Sequence, residues 1–139
     1  MLSNNKLSSS SSWAERSGVE GSISNKKTWD RWELIAIYFL QKKWYKIIDS
    51  NYKISGGEVD IIASFNKKTI FIEVKYRKNL SHWIPEESLS KFKKKNITKV
   101  IKYYCLKNRI KEEDIAFEFI AITETPTKAK INHFKDVEL

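Results

Sequence analysis

The sequence predicts an α/β fold with elements in the order α-β-β-β-α-β-β, and three observations predict it. Two runs of β-branched and aromatic residues, 58–65 and 69–76, flank Asn66-Lys67-Lys68, which is the pattern of a β-hairpin. Apolar residues recur at helical spacing in two segments, 29–43 and 88–108. Two further strand-like stretches, 115–122 and 129–134, follow the second helical segment.

Taken in order, residues 1–25 are polar, with serine at every position from 8 to 12, and are predicted to be a disordered tail ahead of one domain, 26–139. The first helix, 29–43, places Trp32, Ile35, Ala36, Phe39 and Leu40 on its inner side. Thr28 or Asp30 can cap it, and Asp30 with Glu33 has the spacing of a capping box. A first strand is predicted over 44–51, with Trp44 and Tyr45 packing and Asp49-Ser50-Asn51 opening a loop. Gly56-Gly57 then allows close backbone approach, for a turn or for a phosphate above the site.

The hairpin places the charges. If Asn66 and Lys67 form a two-residue turn, with Asn accepting a positive φ, Phe65 pairs with Lys68. Asp60 then lies opposite Glu73, and Glu58 opposite Lys75. A four-residue loop would put Glu73 opposite Ile62 and leave Asp60 diagonal on the same face. Side chains alternate along a strand, so Thr69, Phe71, Glu73, Lys75 and Arg77 share one face with Glu58, Asp60, Ile62 and Ser64. Ile70, Ile72, Val74 and Tyr76, with Val59, Ile61 and Ala63, are the predicted core. Asp60 beside Glu73 is a like-charge pair that is destabilising unless a cation sits between them. Two carboxylates beside a lysine suit a hard divalent cation, which takes oxygen ligands. A structural ladder of Glu58–Lys75 beside Asp60–Glu73 is the plainer alternative, and it leaves the second pair unexplained.

Past the hairpin, 78–85 is a loop carrying His82 and Trp83, with Trp83 either a loop anchor or a stacking contact for a base. The second helix, 88–108, turns Leu89, Phe92, Ile97, Val100, Ile101 and Tyr104 inward. It carries lysines 91, 93, 94, 95, 99, 102 and 107 and no acid. Like charges at i, i+4 oppose a helix, so this excess suggests phosphate contacts. Residues 111–114 form a turn, Pro126 breaks the chain after the fourth strand, and 129–134 is an edge strand.

Composition narrows the function class. A chain of 139 residues with 41% hydrophobic content buries a substantial core, and a formal net charge of +9 favours a polyanionic partner, nucleic acid before membrane. A lysine-rich composition from an AT-rich coding sequence is the bland account of the same charge. One cysteine, Cys105, and two histidines exclude a disulfide framework and a Cys/His zinc site, and point to a reduced, cytoplasmic setting. No apolar run suits a membrane span, and neither a phosphate-binding P-loop nor a dinucleotide fingerprint is present.

Gly57-Glu58-Val59-Asp60-Ile61-Ile62-Ala63, followed by Phe71-Ile72-Glu73-Val74-Lys75, resembles the G-E-I-D-L-I-A and F-V-E-V-K signatures of the YraN-like family in the PD-(D/E)XK nuclease superfamily. Glu33-Leu34-Ile35-Ala36-Ile37-Tyr38-Phe39-Leu40 is similar to its helix-borne G-E-x-x-A-x-x-Y-L. Residues 117–122 and 131–134 are similar to its later strands. The sequence departs from the pattern at Trp29, Trp32 and Ala116, where the family has glycines and an arginine.

The resemblance implies a restriction-endonuclease-like core, a mixed central sheet flanked by helices, related to archaeal Holliday junction resolvases. It implies metal-dependent cleavage of DNA, with branched or junction DNA one substrate among flaps, single strands and RNA left open, and Mg²⁺ or Mn²⁺ held by Asp60, Glu73 and the Val74 carbonyl. Lys75 would act on the attacking water or the developing charge, and Glu33 would reach the site as an alternative to its capping role. Lys91, Lys93, Lys94, Lys95 and Arg77 are the expected nucleic-acid contacts, with Lys93 on the recurrent lysine of the family helix. A homodimer and association with the nucleoid are compatible with this. The alternative from another class is a catalytically inactive nucleic-acid-binding module that keeps the fold.

Overall fold

A computed structural model describes residues 30–77 and 89–139. The expected tail, Thr28, Trp29 and the 78–85 loop with His82 and Trp83 lie outside the described residues. Trp32–Leu139 form one unit. The elements are α1 (Arg31–Lys42), β1 (Lys46–Ile54), β2 (Gly57–Phe65), β3 (Lys68–Arg77), α2 (Lys91–Asn108), a short 3₁₀ turn (Glu112–Asp114), β4 (Ile115–Glu124) and β5 (Ala129–Phe134), in the expected order. They build an α/β, restriction-endonuclease-like core around one five-stranded mixed sheet, ordered β1-β2-β3-β4-β5. Only β3 and β4 run parallel. Parallel neighbours need a crossover, and α2 lies in the chain between them. Among the described residues no helix is long and apolar enough to cross a membrane.

The hairpin register follows from its turn. Asn66 and Lys67 both have positive φ, 55° and 64°, the requirement of a type I′ turn, whose twist matches the flanking strands. Phe65 therefore faces Lys68, and Ile61 faces Ile72.

Some expectations about packing change. β1 does not end at Asn51; pairing with β2 carries it to Ile54, through a register shift between Ile47 and Asp49. Trp44 does not pack: it is 87% exposed, at φ 73°, in the turn that ends α1. There the Tyr45 N–H returns to Leu40 O at 3.0 Å and the Trp44 N–H to Gln41 O at 3.0 Å, closing the helix end. Phe92 faces outward as well, 73% exposed, while Ile97, Val100 and Ile101 keep their expected inward positions.

Both faces of the sheet are buried, as helices on either side require. On one face Trp32 of α1 stacks on Tyr76 at 4.0 Å, and Phe39 meets His133 edge-on at 5.7 Å. On the other, Ile62, Phe71, Phe117 and Phe119 pack with Ile97, Val100 and Ile101 of α2. Val59, expected beside Ile61 and Ala63, belongs to this α2 cluster with Ile62. Strict alternation is lost around Asp60, where the β1 neighbour Asn51 has φ 52°. Gly57 brings β2 against α2: a Cβ there would lie 2.6 Å from Asn96 O and 2.9 Å from Val100 Cγ2. Its close approach is to a helix. Gly56, at φ 91°, makes the turn.

Candidate active site

The β2–β3 ladder runs from the Asn66-Lys67 turn to the Ile61–Ile72 pair, and the next step along it brings Asp60 level with Glu73. Here a side chain replaces the backbone acceptor: Asp60 Oδ2 accepts the Val74 N–H at 2.8 Å. Glu73 is 5% exposed. By strand alternation it shares the α2 face with Phe71. Lys93, in the first turn of α2, places Nζ 3.1 Å from Glu73 Oε2. Glu73 Oε1 is buried without a hydrogen-bond partner.

Burial and like charge act together on the acids. Burial, and then the neighbouring Glu73, raise the Asp60 carboxyl to about 7, against the opposing pull of the Val74 N–H and Lys93. Burial also raises Glu73, opposed first by Lys93. For Lys93 burial disfavours the charge, but Glu73, Asp60 and Glu58 outweigh it and hold the ammonium above its ordinary range. Two neighbouring acids, one buried and one half-buried, with an amine beside them, form a site that holds one proton or one further cation.

The other candidates are placed as follows. Lys75 is exposed on β3, and its charge reaches Glu73. Glu33 takes a 3.0 Å hydrogen bond from Asn51 Nδ2. Asn51 lies between the Ser50–Ile61 and Tyr52–Val59 pairs, level with Asp60. Glu33 thus reaches the strand beside Asp60. Glu58 pairs across β1–β2 with Lys53 at 3.7 Å instead of with Lys75, because the β2–β3 ladder stops at Ile61. Among the described residues no group of three or more His, Cys, Asp or Glu is arranged to hold a metal. Lys91 and Lys95 are exposed on α2, and Lys94 and Arg77 are half-buried.

Sequence reasoning put Lys93 among the phosphate contacts and missed its ion pair with Glu73. A signal was present: the first turn of α2 holds lysines and no acid, a position the helix dipole disfavours unless another charge compensates. It also missed a buried cluster on the α1 face. Glu118, 4% exposed, accepts the Tyr45 hydroxyl at 2.9 Å, and the same Oε1 lies 2.7 Å from His133 Nε2. Burial, then Glu118, hold the Tyr45 phenol above its usual range. A lone acid inside the otherwise apolar run 117–122 was the available hint.

Comparison with known proteins adds a family match. The model of the uncharacterised protein family UPF0102 matches residues 32–122, a span that includes both carboxylates, Lys75 and Lys93. A UPF0102 protein of Carboxydothermus hydrogenoformans is 34% identical over 115 residues, covering 83% of this chain and 98% of the relative. A UPF0102 protein of Alkaliphilus oremlandii is 38% identical over 114 residues, covering 81% and 97%. One of Clostridioides difficile is 38% identical over 111 residues, covering 80% and 96%.

Proposed function

This chain belongs to the uncharacterised protein family UPF0102, and we propose that it is a divalent-metal-dependent endonuclease hydrolysing phosphodiester bonds of DNA, with branched or junction DNA among its candidate substrates. The observation that carries the reading is the pairing of half-buried Asp60 with buried Glu73, whose Oε1 has no hydrogen-bond partner. Structural acids are rarely buried side by side, because each raises the cost of ionising the other. A hard cation removes that cost and takes the orphaned oxygen, so the residues fit Mg²⁺ or Mn²⁺. Asp60, Glu73 and the Val74 carbonyl would hold it. When bound, such an ion polarises a phosphoryl oxygen and makes a water more acidic.

The chain's own groups do the rest. The Val74 N–H fixes the Asp60 carboxyl by occupying Oδ2. Lys93 favours the ionised form of Glu73. Lys75, exposed beside Glu73, is free to meet a phosphate and stabilise charge that develops as the P–O bond breaks. The +9 net charge and the exposed lysines of α2 support a polyanionic substrate.

The test is cleavage of branched, nicked and linear DNAs with Mg²⁺ or Mn²⁺, by wild type, Lys75→Ala and Asp60→Asn. Loss of turnover in EDTA and in both variants, with DNA affinity retained, is the expected result. Equal cleavage by Asp60→Asn overturns the reading. Binding without cleavage of any substrate replaces it with a non-catalytic DNA-binding module.

A further inference from the structure

Phe92 stands out on α2 because it is a large apolar side chain, 73% exposed, on a turn of lysines. A single exposed aromatic residue is ordinary. Phe92, however, lines a cleft of about 370 Å³ whose other walls are Lys53, Ile54, Gly57, Glu58, Lys93 and Asn96. Two of these residues connect the cleft to the carboxylates: Lys93 is ion-paired with Glu73, and the charge of Glu58 acts on Asp60. Phe92 and Asn96 are four residues apart, so they lie on the same side of the helix. The cleft therefore presents an aromatic face, an amide, the ammonium groups of Lys53 and Lys93 and the Glu58 carboxylate paired with Lys53, next to the candidate active site.

We infer that this cleft receives one unpaired nucleotide of a DNA strand whose neighbouring phosphate lies at Asp60 and Glu73, with the base stacked on Phe92. The inference takes its direction from the nuclease reading above. The cleft's size is at the low end for ligand pockets, which run roughly 300–1,000 Å³. It suits a single nucleotide. An aromatic side chain with cations beside it is the usual platform for unpaired bases, since every base has a face to stack and every nucleotide a phosphate to neutralise. A paired base must first leave its stack, at a cost of a few kcal/mol that an already open strand does not incur. The substrate class that follows is DNA with an unpaired nucleotide at the cut: a flap, a gap, a single strand or an opened junction.

The experiment measures binding in EDTA, where no turnover is required. A fluorescent single strand and a blunt duplex of equal length are titrated with wild type, Phe92→Ala and Phe92→Trp. Each protein is checked by circular dichroism. Phe92→Ala is expected to weaken single-strand binding about 5- to 100-fold and to leave duplex binding within about twofold, with Phe92→Trp close to wild type. A 2-aminopurine in the single strand is expected to be quenched by wild type and not by Phe92→Ala. Equal single-strand affinity and equal quenching by wild type and Phe92→Ala overturn the inference, whether or not the protein cuts DNA. Phe92-dependent binding by a wild type that cuts nothing in Mg²⁺ removes the nuclease reading and leaves the cleft's role standing.

Discussion

Lys93 Nζ lies 3.1 Å from Glu73 Oε2, with the lysine side chain one-third exposed and the glutamate buried. The second helix thus supplies the ion-paired charge that makes two adjacent acids tolerable on a β-hairpin. The chemistry of the hairpin depends on where that helix docks.

Lys93→Met is expected to destabilise the protein by about 1–3 kcal/mol at pH 8. A fully buried pair would lose roughly 3–5 kcal/mol, and the exposure of the amine reduces this. The deficit should be smaller at pH 5 than at pH 8, since the acids take up protons as pH falls, and Lys93→Arg should restore most of it. Urea unfolding at the two pH values checks this.

The Asp60 carboxyl, raised to about 7 by burial and Glu73, gives the metal-free protein a defined pH dependence. Between about pH 4, the unfolded value, and about 7, the native state binds a proton that the unfolded state has released. Stability therefore falls as pH rises through this window and levels off above it. The rise in Glu73 acts in the same direction. Asp60→Asn should flatten the profile and be more stable than wild type at pH 8 by about 1–3 kcal/mol, since each pKa unit is worth about 1.4 kcal/mol. Denaturant titrations from pH 4 to 9 in EDTA measure it, and added Mg²⁺ should stabilise wild type increasingly as pH rises.

Gly57→Ala and Gly56→Ala should part company. The first puts a methyl group 2.6 Å from Asn96 O and must push α2 away, costing about 1–3 kcal/mol and pulling Lys93 from Glu73. The second meets only the flexible end of Lys99, at 3.5 Å, and costs about 1 kcal/mol of backbone strain at positive φ. DNA cleavage should fall for Gly57→Ala well beyond the change seen with Gly56→Ala.

Tyr45→Phe removes one hydrogen bond to the buried Glu118. A loss of about 1–3 kcal/mol is expected. Cleavage and DNA affinity should be unchanged, because this cluster lies on the α1 face of the sheet. Thermal unfolding beside the cleavage assay separates the two effects.

What the sequence made legible was local. Asn66 and Lys67 specify a turn, the turn specifies the register, and the register brings Asp60 level with Glu73; β5 has its expected limits, Ala129–Phe134. What it concealed depends on partners distant in the chain. Asp49, Ser50 and Asn51 have loop composition, yet pairing with β2 keeps them in a strand. Both helices end on non-glycine residues at positive φ, Trp44 and Arg109, so neither stop was marked by the usual glycine. Phe92 fits the apolar pattern of α2, and only the docking angle of the helix decides that it faces out. The ion pair of Lys93 and the Glu118 cluster each join residues that no short-range spacing could connect.

The hairpin gathers both acids within one short loop of chain, whereas the balancing amine arrives only after α2 has formed and docked. Local contacts cost the least loop-closure entropy, so the carboxyls are expected to approach each other before the amine of α2 is in place. Refolding should accordingly be slower in alkaline, low-salt buffer than in mildly acidic or salted buffer, with divalent ions able to accelerate it by occupying the nascent pair ahead of the helix.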